Sequence, residues 1–156
     1  MAQHGGGADH QADRGRGAVN DDAIIRALLG QPRSIALVGA SDDPLRPSHS
    51  VMQRLLAHGH RLHPVNPTRA GRMILGCEVV ANLADIQEPI DIVDVFRRSD
   101  AVDTLVNEVL MLSPMPEAIW LQLGVRDPVA EQRARQAGVT VIVDRCPAIE
   151  IARLAL

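Results

Sequence analysis

The residues of this chain best placed to do chemistry fall in one stretch, residues 39–48, G-A-S-D-D-P-L-R-P-S, directly after the apolar run Ile35, Ala36, Leu37 and Val38. Gly39 suits a backbone that turns tightly or comes close to a bound group. A helix starting at Ser48 would point unpaired amides and its positive dipole end at an anion. Arg46 in this stretch, Arg69 and Arg72 after a second apolar run and Arg97 after a later one could add positive charge, and each also reads as a solvated surface residue. A weak redox candidate is Cys146. Its neighbour Arg145 would favour the thiolate and hence thiol–disulfide exchange, although a packed small residue is the alternative reading. No His or acid is placed by sequence as its base, and Ser41 has no recognisable triad partner. His49, His58, His60 and His63 crowd together without Asp, Glu or Cys at ligand spacing, so no metal site is expected.

Composition removes several classes. All sixteen basic residues are Arg, which excludes a P-loop and Schiff-base chemistry, both of which need Lys. A net charge of -3 and a pI near 6.0 argue against a nucleic-acid binder. With one Trp, one Phe and no Tyr, the core must be aliphatic. Two cysteines, Cys77 and Cys146, are too few for a disulfide framework and fit a reducing, cytoplasmic setting. No stretch approaches the roughly 20 apolar residues of a membrane helix, and no continuous apolar N-terminal region suggests a secretion signal.

The elements that must position these residues alternate. Residues 1–18, with three consecutive glycines, read as a disordered tail, and residues 19–156 as a single domain. Asn20 caps a first helix with Ile24, Ile25, Leu28 and Leu29 on one face, stopped by Gly30 and Pro32. A strand over residues 35–38 is followed by a helix that Ser48 caps, running to about residue 58. The second strand, residues 61–66, contains Pro64, which places it near a sheet edge. A short strand around residues 78–80 and a helical turn from Asn82 precede a strand over residues 90–95. Ser99 caps the next helix, with Val102, Leu105, Val106, Val109 and Leu110 at helical spacing. Then come a strand over residues 118–121, a helix over 128–137, a strand over 139–143 and a helix near 149–154. Strands alternating with helices predict an α/β, doubly wound parallel sheet of Rossmann-like type, strand order 3-2-1-4-5-6.

A nicotinamide fingerprint, G-x-G-x-x-G with a later ribose-binding acid, fails here. Only the first glycine is kept, and Asn66 and Pro67 stand where the acid would be.

Six ordered blocks, G-A-S-x-x-P-x-R-P-S at residues 39–48, P-V-N-P at 64–67, L-G at 75–76, D-I-V-D-V-F-R-R at 91–98, W-L-Q-L-G-V at 120–125 and D-R-C-P at 144–147, resemble the small stand-alone bacterial and archaeal CoA-binding proteins. The same fold is similar to the CoA-binding domain of the succinyl-CoA synthetase alpha subunit. The resemblance, over about residues 20–154, implies coenzyme A or acyl-CoA at the carboxyl edge of the sheet. Gly39, Ala40 and Ser41 would approach the diphosphate, bordered by Arg46, Pro47 and Ser48. Asn66, Pro67, Thr68 and Arg69 would lie beside the adenosine and its 3'-phosphate. Val95, Phe96 and Arg97 would line the other side, and Gly124 would bound the pantetheine path. The synthetases work through a phosphorylated histidine in a later domain that this chain lacks, so no catalytic constellation is expected.

The leading expectation is therefore a non-catalytic CoA or acyl-CoA binding protein. The alternatives are an NAD(P)-dependent enzyme or transferase subunit using the same crevice, and a CoA-responsive regulatory module acting on a protein partner. Met111, Leu112, Met115 and Trp120 offer apolar surface for a homodimer.

Overall fold

A computed structural model describes residues 21–156; the predicted tail lies outside the described residues. The chain runs α1 (Asp22–Leu29), β1 (Ser34–Val38), α2 (Pro47–Ala57), β2 (Arg61–Val65), β3 (Met73–Ile74), β4 (Cys77–Glu78), β5 (Ile92–Val95), α3 (Val102–Leu110), β6 (Ala118–Leu121), α4 (Pro128–Gln136), β7 (Thr140–Ile142) and α5 (Pro147–Arg153). Five strands form one parallel sheet in the order β2-β1-β5-β6-β7.

Both faces of this sheet are covered, as the unbroken apolar strands require. Ile35, Leu37, Ile92, Ala118 and Trp120 pack into one core with α1, α2 and α5. The intervening Ala36, Val38, Val93, Val95, Ile119 and Leu121 pack into a second with α3 and α4. Alternate side chains of each strand thus feed opposite cores, which is the doubly wound arrangement the alternation of elements predicts. Among the described residues no helix is long and apolar enough to cross a membrane.

Pro64 sits in the edge strand β2, and the reason it is tolerated there is visible in the ladder. The Arg61 amide and Val65 carbonyl bond toward the β1 side, whereas the Pro64 carbonyl faces outward and accepts from Val80 at 3.0 Å. The missing donor therefore falls on the outer side. The expected strand at residues 78–80 contracts to a single parallel bridge between Val65 and Val80, because Met73–Ile74 and Cys77–Glu78 instead pair as a short antiparallel hairpin.

Four local expectations change. Asp21, whose carboxylate accepts from the Ala23 amide at 2.7 Å, is the N-cap of α1 in place of Asn20, which lies outside the described residues. Helix α2 begins two residues earlier, with Arg46 as N-cap and Pro47 at the first position, so Ser48 lies inside the first turn. Ser99 opens a 3-10 turn (Ser99–Ala101) ahead of α3, and its hydroxyl accepts from the Arg126 amide at 3.0 Å. Trp120 is fully buried and donates to the Arg145 carbonyl at 2.9 Å, so it adds nothing to an apolar surface patch. Met111 and Met115 do remain exposed.

Candidate functional site

The carboxyl edge of the sheet opens into a crevice with two compartments that share Pro47 and Phe96. The narrower, about 280 Å³, is polar and lined by Gly39, Ala40, Ser41, Arg46, Ser48, Asn66 and Arg69 together with the shared pair. The wider, about 790 Å³, is mostly apolar. Val51, Leu123, Val125, Cys146, Ala148 and Ile149 give it its character, with Arg54, Arg97, Gln122 and Gly124 as polar or open positions.

Local geometry explains the turn between β1 and α2. Gly39 takes φ +90°, and its amide and that of Ala40 both donate to the Val65 carbonyl, at 2.9 and 3.3 Å. These two amides are therefore spent on the sheet and do not offer themselves to an anion, contrary to a simple phosphate-cradle reading of the stretch. The amides of Ser41 and Ser48 have no acceptor among the described residues and remain open at the narrow compartment.

Asn66 acts as a brace. Its Nδ2 donates to the Ala40 carbonyl at 2.8 Å while its Oδ1 accepts from the Thr68 amide and hydroxyl. This ties the end of β2 to the turn and consumes most of the amide's bonding capacity. Arg69 is also engaged: its Nε meets Asp42 at 3.0 Å, and Arg72 takes the other carboxylate oxygen at 3.1 Å. Arg69, followed by Arg72, holds the Asp42 carboxyl below its ordinary range.

Of the sequence-predicted site residues, Gly39, Ala40, Ser41, Arg46, Pro47, Ser48, Asn66, Arg69, Phe96, Arg97 and Gly124 come together around the crevice. Val95 does not, because its side chain alternates into the core beneath α3 and is fully buried. Pro67 and Thr68 form the 3-10 turn behind Asn66, outside the lining.

Cys146 lines the wide compartment as expected, but its environment opposes the proposed activation. Burial pushes the thiol up from its ordinary range, outweighing the main-chain amides of Ile149 and Ala148 that pull it down. The Arg145 guanidinium instead pairs with the buried carboxylate of Glu150, 3.4 Å away. A thiol kept protonated is a poor nucleophile. Of the four histidines close in sequence, His58 and His60 stay together, their ring centroids 5.5 Å apart, while the others part from them. His63 bonds Glu88 at the amino edge of the sheet, opposite the crevice, and His60 is buried accepting from the Arg33 amide.

Among the lining and supporting residues that escaped sequence reasoning, three bear on polar chemistry. Arg54 projects from α2 into the wide compartment and gave no signal beyond its place on a helix. Gln122 directly follows β6 at the crevice wall, inside the W-L-Q-L-G-V block. Asp94 lies just behind it, wholly buried, and accepts from the Gln122 amide at 2.7 Å. Its signal was present: a lone acid in the apolar run Ile92, Val93, Asp94, Val95 of a strand buried on both faces. Burial drives the Asp94 carboxyl up to about 7, against the opposing pull of the Gln122 hydrogen bond.

The comparisons with known proteins agree with this architecture. A Thermus thermophilus protein, described as cell-free ID.343, is 43% identical, with a TM-score of 0.81 over 86% of this chain and 98% of that one. A hypothetical protein from Pyrococcus horikoshii OT3 is 31% identical, with a TM-score of 0.81 over 89% of this chain and 95% of its own. The uncharacterized protein YneT of Bacillus subtilis (strain 168) is 39% identical over 124 residues, 80% of this chain and 89% of YneT. Residues 33–152 match the family described as CoA binding domain. Those residues include all five strands of the sheet and both compartments of the crevice, so the chain belongs to the CoA binding domain family.

Proposed function

We propose that this chain is a non-catalytic binding protein for coenzyme A or acyl-CoA, acting in the cytoplasm, with the nucleotide at the narrow compartment and the pantetheine arm in the wide one. The observation that carries this reading concerns charge. Among the described arginines only Arg46, Arg54 and Arg97 have neither a salt bridge nor a hydrogen bond, and all three line the crevice. Arg46 borders the open helix-start amides of the narrow compartment, while Arg97, close to Gly39, and Arg54 stand on the wall of the wide one; uncompensated guanidinium groups and open amides favour a polyanion. The apolar compartment next to them suits an uncharged, flexible arm. Together they match an elongated ligand with phosphates at one end.

The reading as a binder follows from the crevice chemistry. Its one thiol is held protonated, and Asp94 is sealed beneath the wall with the Gln122 amide as its one hydrogen-bond partner among the described residues. Calorimetric titration with CoA, dephospho-CoA, NAD and NADP tests the proposal. CoA binding that weakens without the 3'-phosphate supports it; equal or tighter NAD binding overturns it in favour of a nicotinamide enzyme.

A further inference from the structure

The wide compartment is apolar except at a few points, and one of these is oriented from behind. Gln122 is almost wholly buried at the end of β6, and its Nε2 donates to Asp94 Oδ1 at 2.7 Å. An ionised Asp94 carboxylate can only accept, so it draws the nitrogen end of the Gln122 amide toward it. The opposite end of the amide, Oε1, is then directed away. Among the described residues it has no donor, and it is not among the polar atoms sealed without a partner, so it opens onto the crevice that Gln122 lines.

Asp94 has no other visible task. Its register neighbours Leu37 and Trp120 share its face of the sheet and belong to the core beneath α2 and α5. Its second oxygen, Oδ2, has no partner among the described residues. A buried acid with one hydrogen bond is costly to keep. The gain is a Gln122 amide that cannot rotate.

We propose that Asp94 is a positioning residue that locks Gln122 so that the wide compartment presents a single fixed hydrogen-bond acceptor, Gln122 Oε1, to an N–H or O–H donor on the arm of the bound ligand. The pantetheine arm, with two amide N–H groups and a hydroxyl, carries donors of this kind. This inference rests on the CoA reading above. It predicts that recognition of the arm, and not of the nucleotide, depends on the Asp94–Gln122 pair.

The experiment compares CoA with adenosine 3',5'-bisphosphate, which lacks the arm, on four variants: Asp94→Leu, Asp94→Asn, Gln122→Met and the double variant Asp94→Leu/Gln122→Met. Removing the acceptor directly with Gln122→Met, or releasing it with Asp94→Leu, is expected to weaken CoA about tenfold. Affinity for the arm-less nucleotide is expected to stay within about twofold. Asp94→Asn keeps an acceptor for Gln122 and restores CoA binding, and Asp94→Leu adds no further loss in the Gln122→Met background. CoA affinity unchanged in Gln122→Met, or equal losses for CoA and the arm-less nucleotide, would overturn the assignment. Gln122→Met leaves Asp94 without its one hydrogen bond, whereas Asp94→Leu/Gln122→Met leaves no unpaired carboxyl behind the wall, so the double variant decides the matter even if either single variant folds poorly. Failure of the unmodified protein to bind CoA would instead remove the proposed function itself.

Discussion

Gly39 and Phe96 meet backbone to backbone: a β-carbon at position 39 would stand 2.3 Å from the Phe96 carbonyl oxygen. The turn after β1 is therefore packed directly against the end of β5, and the crevice is built around that contact. At φ +90° any other residue is strained as well as crowded.

Gly39→Ala is expected to destabilise the fold by roughly 2–4 kcal/mol, since strain and overpacking combine at one site. Urea unfolding followed by circular dichroism measures this. A change below about 0.5 kcal/mol would mean that the β1–β5 contact yields freely.

The crevice arginines divide by their partners. Arg46→Ala and Arg97→Ala are each expected to weaken CoA binding by about 1–3 kcal/mol, because each loses a charge with no internal competitor. Arg69→Ala is expected to cost less, since Asp42 already occupies that guanidinium. Calorimetry on the three variants gives the ranking, and an Arg69 loss larger than both others contradicts it.

Much of this layout was legible in the sequence, and the exceptions have physical causes. The strand runs, the edge position betrayed by Pro64 and the grouping of turn residues all follow from hydrophobic pattern and backbone chemistry. Hydrogen-bond allegiance does not. Nothing local says that the amides of Gly39 and Ala40 answer to Val65, that Asn66 braces the Ala40 carbonyl, or that Arg145 turns to Glu150 and leaves Cys146 unassisted. Val95 shows the same limit at finer grain. Being next to Phe96 in a strand sends it to the opposite face.

Stability is expected to depend on pH through Asp94. The folded carboxyl titrates at about 7, above its ordinary 3.8, because burial disfavours its charge. Between those values the folded state keeps a proton that the unfolded state has released, so stability falls as pH rises through the window and the loss is complete above it. The full penalty is on the order of 4 kcal/mol. Chemical denaturation at pH 5 and pH 8 should show the part of this drop that falls above pH 5, roughly 3 kcal/mol, in the unmodified protein and a much smaller one in Asp94→Asn. Parallel profiles would reassign the titration.

Cys146 is expected to react slowly. With burial holding its thiol protonated, alkylation by iodoacetamide at pH 7 should be at least about tenfold slower in the native protein than in urea. Mass spectrometry of the Cys146 peptide provides the rate. Equal rates would return the residue to consideration as a nucleophile.

The margins of the sheet bear on how the molecule behaves in a crowd. On one side β2 turns outward a proline without a donor and a carbonyl already taken by Val80; on the other, β7 is only three residues long. Neither border offers a long row of vacant amides on which a neighbouring chain could template an added strand. Concentrated solutions of the folded protein are thereby protected from fibrillar, strand-by-strand growth.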